Sequence, residues 1–256
     1  MATGFGATVG VGSTDIIITP YTYQPASSDW SVAFWCYRRV DAGAGTAPRV
    51  FDKNNGTESV LFYEDGTTGY YRYIDLWQSG SQVGGWSVTK PPAGEWHHCF
   101  VSYNWSSTVN MPLICIDGRP MTLNNISQPG GTKIVDAAAA ITIGNRQNPS
   151  NRVWDGAIAH FAIWQKALTS GHAYSLGFER RSPLTIPAYL AYYNQLENSY
   201  FDSNNVGHTV VGTKFFPSLD IVQPEWYQSF PKLSGVPITG TILQKVFNTL
   251  YAQKHK

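Results

Sequence analysis

Short runs in which apolar and polar residues alternate recur along this chain, each cut by Gly, Asp, Asn or Pro. SVAFWCY follows the turn-like QPASSD, RVFDK ends at NNG, and SVLFYEDG ends on an Asp-Gly pair. YYRYIDLW runs into the loop QSGSQVGG, and GWSVTK stops at Pro91 and Pro92. GEWHHCFVSYN, LICIDGRPM, ITIGNR and WDGAIAHFAIWQKALT follow. Strand signals at this spacing, without helical periodicity between them, predict a sandwich or barrel of antiparallel strands. Val32, Phe34 and Cys36 share one face of their run, and Ala33, Trp35 and Tyr37 share the other. Both faces are apolar, so this strand is expected to be covered on both sides. The same period of two predicts burial of Phe34, Cys99, Val101, Ile143, Phe161 and Ile163. His97 and His98 should project to opposite sides of their strand. Asp117–Gly118 predicts a tight hairpin turn.

Beyond Ser182 prolines become frequent. AYLAYYNQLENSYFDSNNVGHTVVGTKFF reads as another strand pair, with a polar turn at Asp202–Gly207. The last stretch, TILQKVFNTLYAQKHK, places Leu243, Val246, Phe247 and Leu250 on one helical face. Thr239 or Thr241 suits its start, and Lys254 and Lys256 suit the negative end of its dipole. A helix of this length is marginal alone. Its apolar stripe is expected to dock on its own domain or on a neighbouring subunit. The chain therefore divides into a domain over 1–230 and an extension over 231–256.

Composition narrows the class. Apolar residues make up 43% of the 256, enough for a core, and charged residues only 14%. The usual charged share is about 25%, so Ser, Thr, Asn, Gln and Gly must supply the polar surface. The net charge of +1 gives neither the electropositive footprint of a nucleic-acid binder nor a basic surface for membranes. No apolar run is long enough to span a bilayer. The amino terminus lacks the basic and apolar regions of a signal peptide. Cys36, Cys99 and Cys115 each sit in an apolar strand-like run, without disulfide-framework spacing. They are expected to be buried free thiols, in a protein made in a reducing cytoplasm.

Trp96, His97 and His98 opening one strand, the Asp117–Gly118 turn, Ile143–Gly144 closing another strand, and Gly156, Ile158, Phe161, Ile163 and Trp164 along a third form a recognisable set. Leu168 and Thr169 follow as a helix start. This set resembles the laminin-G-like branch of the concanavalin A-like lectin/glucanase superfamily. GVGSTDIIITPYT also looks like the opening of phage-encoded and bacterial members. The resemblance covers about residues 10–176. It implies an all-β fold, a concanavalin A-like jelly-roll sandwich of two antiparallel sheets, here with a short C-terminal helix.

Fold alone does not choose a function, so each inherited chemistry is tested on the residues. Glucanases of the superfamily carry closely spaced carboxylates on one strand, and a retaining pair stands about 5–5.5 Å apart. That pattern is absent. Glu58, Glu64 and Asp65 come nearest, but Glu64 and Asp65 are adjacent and face opposite ways on a strand. No enzyme activity is expected. Calcium is the metal the resemblance implies, and Asp52, Asn54 and Asn55, with Asn145, Asn148, Asn151 and Asp155, are the oxygen donors in question. These clusters are rich in Asn and poor in Asp. Calcium favours several carboxylates, so turn geometry is their expected role and no cofactor is expected. Glycan binding is the other inherited property. The stretch Tyr70–Trp86 offers the aromatic faces of Tyr70, Tyr71, Tyr73, Trp77 and Trp86 with Arg72 between them, and Trp154 and Arg146 could add a face and a donor. Of these, Tyr71, Trp77, Trp86, Trp154 and Arg146 are the glycan candidates.

The expected function is that of a non-enzymatic virion structural protein, made in the host cytoplasm and displayed on a bacteriophage as a capsid decoration, head fibre or tail appendage. Its expected partners are other virion proteins, further copies of itself in a homo-oligomer, and surface glycans. The alternative is a carbohydrate-binding adhesion module not tied to a particle.

Overall fold

The computed structural model describes residues 3–5, 16–19, 29–54, 59–76, 83–130, 140–146, 152–194, 196 and 209–211. Trp77, Asn55 and the docking stripe Leu243, Val246, Phe247 and Leu250 lie outside the described residues, as does the division at 230/231. Among the described residues, no helix is long and apolar enough to cross a membrane.

The strands, in chain order, are β1 (Thr3–Phe5), β2 (Ile16–Ile18), β3 (Trp30–Arg38), β4 (Arg49–Asn54), β5 (Ser59–Asp65), β6 (Tyr70–Leu76), β7 (Val83–Thr89) and β8 (Trp96–Tyr103). They continue as β9 (Leu113–Ile116), β10 (Arg119–Pro120), β11 (Asn124–Ser127), β12 (Thr142–Ile143), β13 (Gly156–Trp164), β14 (Leu190–Asn194) and β15 (Thr209–Val211). One helix, α1 (Ser170–Gly177), follows β13. Two sheets result. The seven-stranded sheet runs β1-β13-β3-β8-β9-β10, with β14 also on β13. The eight-stranded sheet runs β11-β7-β6-β5-β4-β12-β2-β15. The pairings β3 with β8 and β13, and β5 with β4 and β6, are antiparallel throughout.

The period of two in the sequence is what packs the sheets together. Phe34, Cys99, Val101, Ile143, Phe161 and Ile163 are all buried in the central layer. Phe34 meets Phe51 and Phe62 edge to face, at centroid separations of 6.0 and 5.4 Å. The opposite face of β3 and β8 is apolar because α1 covers it: Ala173 and Leu176 join Ala33, Phe100, Cys115 and Trp164. The helix begins where Leu168–Thr169 predicts, with Thr169 as its N-cap. At the β9–β10 turn, Asp117 and Gly118 take φ of 51° and 77°, the paired left-handed conformations that a tight hairpin requires. Gly156 is fixed by contact instead, since a Cβ there would lie 1.9 Å from the Tyr37 carbonyl oxygen. All three cysteines are free and buried. Cys36 and Cys99 lie 3.7 Å apart, sulfur to sulfur.

One expectation is corrected. The strands foreseen after Ser182 do not pair with each other. β14 adds to β13 in the seven-stranded sheet, whereas β15 adds to β2 in the eight-stranded sheet. Alternation marks a strand but carries no information about its partner. Here the edges of two different sheets take the two strands.

Candidate functional site

The aromatic residues expected to stack on sugars are mostly core. Tyr71 is 1% exposed, and Trp86 and Trp154 are 0% exposed. Trp86 stacks on Tyr73 at 5.8 Å, and the Trp154 indole N–H donates to the Tyr37 carbonyl at 3.0 Å. Their faces are therefore closed to a ligand, which corrects the reading of all three. The cause is register. Tyr71 and Tyr73 fall on the parity of β6 that meets the other sheet, and Trp86 and Val88 do so on β7. Of the five glycan candidates, the described residues leave Arg146 partly accessible.

The metal candidates fit calcium poorly. Asp52 is fully buried, with Oδ2 3.3 Å from Arg49 Nε. Asp155 Oδ1 lies 3.5 Å from Arg39 Nη1. The Asn145 side-chain oxygen accepts from the Arg146 backbone N–H at 2.9 Å. Each donor already answers a protein positive charge or N–H, whereas calcium needs six to eight oxygens, several of them carboxylates. Among the described residues, no three His, Cys, Asp or Glu side chains gather where a metal ion could sit.

The nearest thing to a catalytic pair is dismantled by its surroundings. Glu64 Oε1 accepts from Arg38 Nη1 at 2.8 Å, from the Ala42 backbone N–H at 3.0 Å and from Lys90 Nζ at 2.5 Å. It is 1% exposed. Asp65 faces the other way and takes the Thr67 and Thr68 N–H groups in a turn, at 3.0 and 3.3 Å. The histidines also diverge. His97 Nδ1 lies 2.8 Å from Asp117 Oδ2, while His98 points under α1 and packs on Trp35 at 5.2 Å.

Chemistry does converge on the outer face of the eight-stranded sheet. Tyr63 on β5 pairs with Arg49 on β4 and with Arg72 on β6. The Arg49 guanidinium lies 4.4 Å from the Tyr63 ring centroid, and that of Arg72 lies 5.8 Å away. Arg49 reaches this face through a β-bulge between Arg49 and Phe51. By strict alternation it would share the inward face of Phe51. The extra residue, Val50, goes into the core and re-aims Arg49 outward. The connection from β12 to β13 brings Arg146 and Arg152 alongside. Its described ends are held by Arg49 N–H to Arg152 O at 2.8 Å and by Trp154 N–H to Gly144 O at 2.8 Å.

The electrostatics record this crowding of like charge. Burial lowers the pKa of Arg49; Asp52 and Tyr63 partly offset this, and Arg152 and Arg146 lower it further. Burial pushes the Asp52 carboxyl up to about 6, against the pull of Arg49 and Arg146. Sequence reasoning does not single out Arg49, Tyr63 or Arg152, and it names Arg72 only as the arginine within the aromatic-rich stretch. The alternation in SVLFYEDG and YYRYIDLW places Tyr63 and Arg72 on definite parities, but only the cross-strand register brings them together. Guanidinium groups gathered over a phenol ring make a positively charged patch, and guanidinium is the group suited to bidentate recognition of oxygen acceptors.

The comparisons agree with this architecture. A laminin-G profile of the concanavalin A-like lectin/glucanases superfamily matches residues 11–172. No curated protein matches the chain in sequence. Among solved structures, a candidate carbohydrate-binding protein from Bacteroides ovatus superposes with a TM-score of 0.53 at 15% identity, over 82% of this chain and 58% of its own. A heptameric SAP-like pentraxin from Limulus polyphemus superposes with a TM-score of 0.51 at 13% identity, over 83% of this chain and 94% of its own. These likenesses concern the fold, and the chain spans little more than half the length of the first. Strands β2 to β13, the Asp117–Gly118 turn and the helix start at Thr169 fall inside the matched span, and the chain belongs to the concanavalin A-like lectin/glucanase superfamily.

Proposed function

We propose that this chain is a non-enzymatic structural protein of a bacteriophage or similar particle, displayed on the virion surface as a capsid decoration, head fibre or tail appendage, and that it binds glycans there. The observation that carries the binding half is the Arg49–Tyr63–Arg72 stack, set on a rigid sheet and flanked by Arg146 and Arg152. Binding is favoured over hydrolysis because Glu64 is consumed by Arg38 and Lys90, and Asp65 by its turn. The particle half is supported by the sequence: the resemblance to phage-encoded members, the unpaired cysteines, the low charge content and the docking stripe over Leu243–Leu250. That stripe would seat the protein on other virion proteins or in a homo-oligomer. The Bacteroides ovatus neighbour favours a second reading, a carbohydrate-binding module not tied to a particle.

The test is sedimentation of particles from cells that make this chain, followed by mass spectrometry. Peptides of the chain should travel with the particles in the amounts of a structural component, and deletion of 240–256 should reduce that attachment. Recovery only in the unsedimented fraction would overturn the particle reading and leave the second.

A further inference from the structure

We propose that the ligand taken by this arginine–tyrosine face is an acidic sugar, one whose carboxylate or sulfate group is gripped by the guanidinium groups. The inference rests on the glycan-binding reading and names its substrate class.

Hydrogen-bond supply makes the case. A neutral sugar hydroxyl both donates and accepts, so a site for neutral sugars needs free acceptors as well as donors. On this face the acceptors are spent or hidden. Asp52 is fully buried against Arg49. Asp65 holds its turn and lies 3.5 Å from Arg72. The donors are in surplus. Arg49 Nη1, Arg72 Nε and Arg152 Nε are buried and make no hydrogen bond within the protein, while Arg72, Arg146 and Arg152 are each partly exposed. Arg49, Arg72, Arg146 and Arg152 bring four guanidinium groups to a neighbourhood whose carboxylates, among the described residues, are Asp52 and Asp65. A group that only accepts, carries negative charge and has two or three oxygens in one plane or fork complements this arrangement. The Arg49 guanidinium carbon lies over the Tyr63 ring, which restricts its position before a ligand arrives and lowers the ordering cost of binding. The same stack covers the Tyr63 face that a nucleobase would need, and the chain's net charge of +1 supplies no track for a polyphosphate backbone.

The experiment is a glycan array carrying sulfated, carboxylated and matched neutral oligosaccharides. It is probed with the wild-type chain and with an R146Q/R152Q variant whose folding is checked by thermal melting. Both residues lie in the β12–β13 connection and are partly exposed, so the sandwich should tolerate the change. Binding should be confined to acidic glycans and fall about tenfold or more in the variant, as expected for loss of charge-assisted hydrogen bonds. It should also weaken steeply towards about 1 M salt, where the Debye length falls to about 3 Å. Binding to neutral glycans alone would overturn the inference and leave the glycan-binding reading. Binding to no glycan would overturn both. Inorganic sulfate competing as well as the best glycan would assign the face to a free anion. A mixed-sequence single-stranded oligonucleotide bound more tightly than any glycan would assign it to nucleic acid. Either result would overturn the inference.

Discussion

Replacing Glu64 with alanine should destabilise the fold by about 3–5 kcal/mol, the range for removing one partner of a buried ion pair. Glu64 stands on the eight-stranded sheet, Arg38 at the end of β3 in the seven-stranded sheet, and Lys90 just past β7. One carboxylate oxygen therefore pins both sheets at one end of the sandwich. Arg38 is 3% exposed, and its guanidinium also lies 5.6 Å from the Tyr71 ring. Without Glu64, that charge is left buried, answered among the described residues by the exposed Asp41 at 3.1 Å and the Pro91 carbonyl. Burying a charge without its partner is the expensive outcome. Replacing both members by apolar residues, as in R38M/E64L, should recover much of the loss, because the desolvation of both charges disappears together. Urea unfolding of the three proteins at neutral pH checks this. A loss under about 1 kcal/mol for E64A, typical of a surface pair, would show that the cluster is not a structural pin.

Acidification should weaken the protein between about pH 6.5 and 4, and His98 should account for about 3 kcal/mol of the change. Burial under α1 lowers the His98 pKa to about 4, against a partly offsetting pull from Asp117. The imidazole packs on Trp35, and Gly177 leaves it no room, since a Cβ there would lie 2.8 Å from Nδ1. At neutral pH both folded and unfolded chains hold His98 uncharged. As pH falls below the ordinary histidine value the unfolded chain takes up a proton that the folded chain refuses. Stability is then lost until pH reaches the folded value. His160, lowered to about 3 by burial, acts with the same sign. Asp52, raised to about 6 by burial, acts oppositely. Its folded form keeps a proton that the unfolded chain gives up, so it favours folding more as pH falls from about 6 towards 4. Asp155, also raised by burial, acts with Asp52, while Asp41, Asp65 and Asp117, all lowered by their partners, act with the two histidines, so the net effect is a loss. His98→Leu should remove about 3 kcal/mol of the loss between pH 7 and pH 4. Chemical unfolding across that range measures it, and an unchanged pH profile in the variant would contradict the assignment.

What could be read from the sequence, and what could not, follows from how local each cause is. The strands of Val32–Cys36 and Cys99–Tyr103 were legible because both faces are apolar, and a two-sided strand announces itself without its partners. Asp117–Gly118 and Thr169 were legible because turns and caps are made by neighbouring residues. The inward parity of YYRYIDLW was not. One face carries Tyr70, Arg72 and Ile74, the other Tyr71, Tyr73 and Asp75, so polarity does not separate them. The face with Asp75 goes inward because the Tyr73 hydroxyl and the Trp105 indole N–H reach its Oδ2 at 2.6 and 3.0 Å, and Trp105 lies beyond another strand. Tyr71 and Trp86 were consequently read as open when they are core. The arginine–tyrosine face was hidden for a related reason. Arg49 turns outward only through its bulge, and Tyr63 meets Arg72 only through register. Arg72 was legible as the arginine in the aromatic-rich stretch, and Arg146 as a donor that could join it. Their neighbours there were not.

The central claim is that ligand binds on the outer face of the eight-stranded sheet, across β4, β5, β6 and the β12–β13 connection. The direct measurement is amide chemical-shift mapping of the full chain, titrated with the strongest glycan from the array. On this account, the largest shifts should cluster at Arg49, Tyr63, Arg72, Arg146 and Arg152, and about tenfold or more glycan should be needed to saturate them in the R146Q/R152Q protein. Shifts centred on α1 and the β9–β10 turn of the other sheet, or no saturable shift with any glycan, would contradict it.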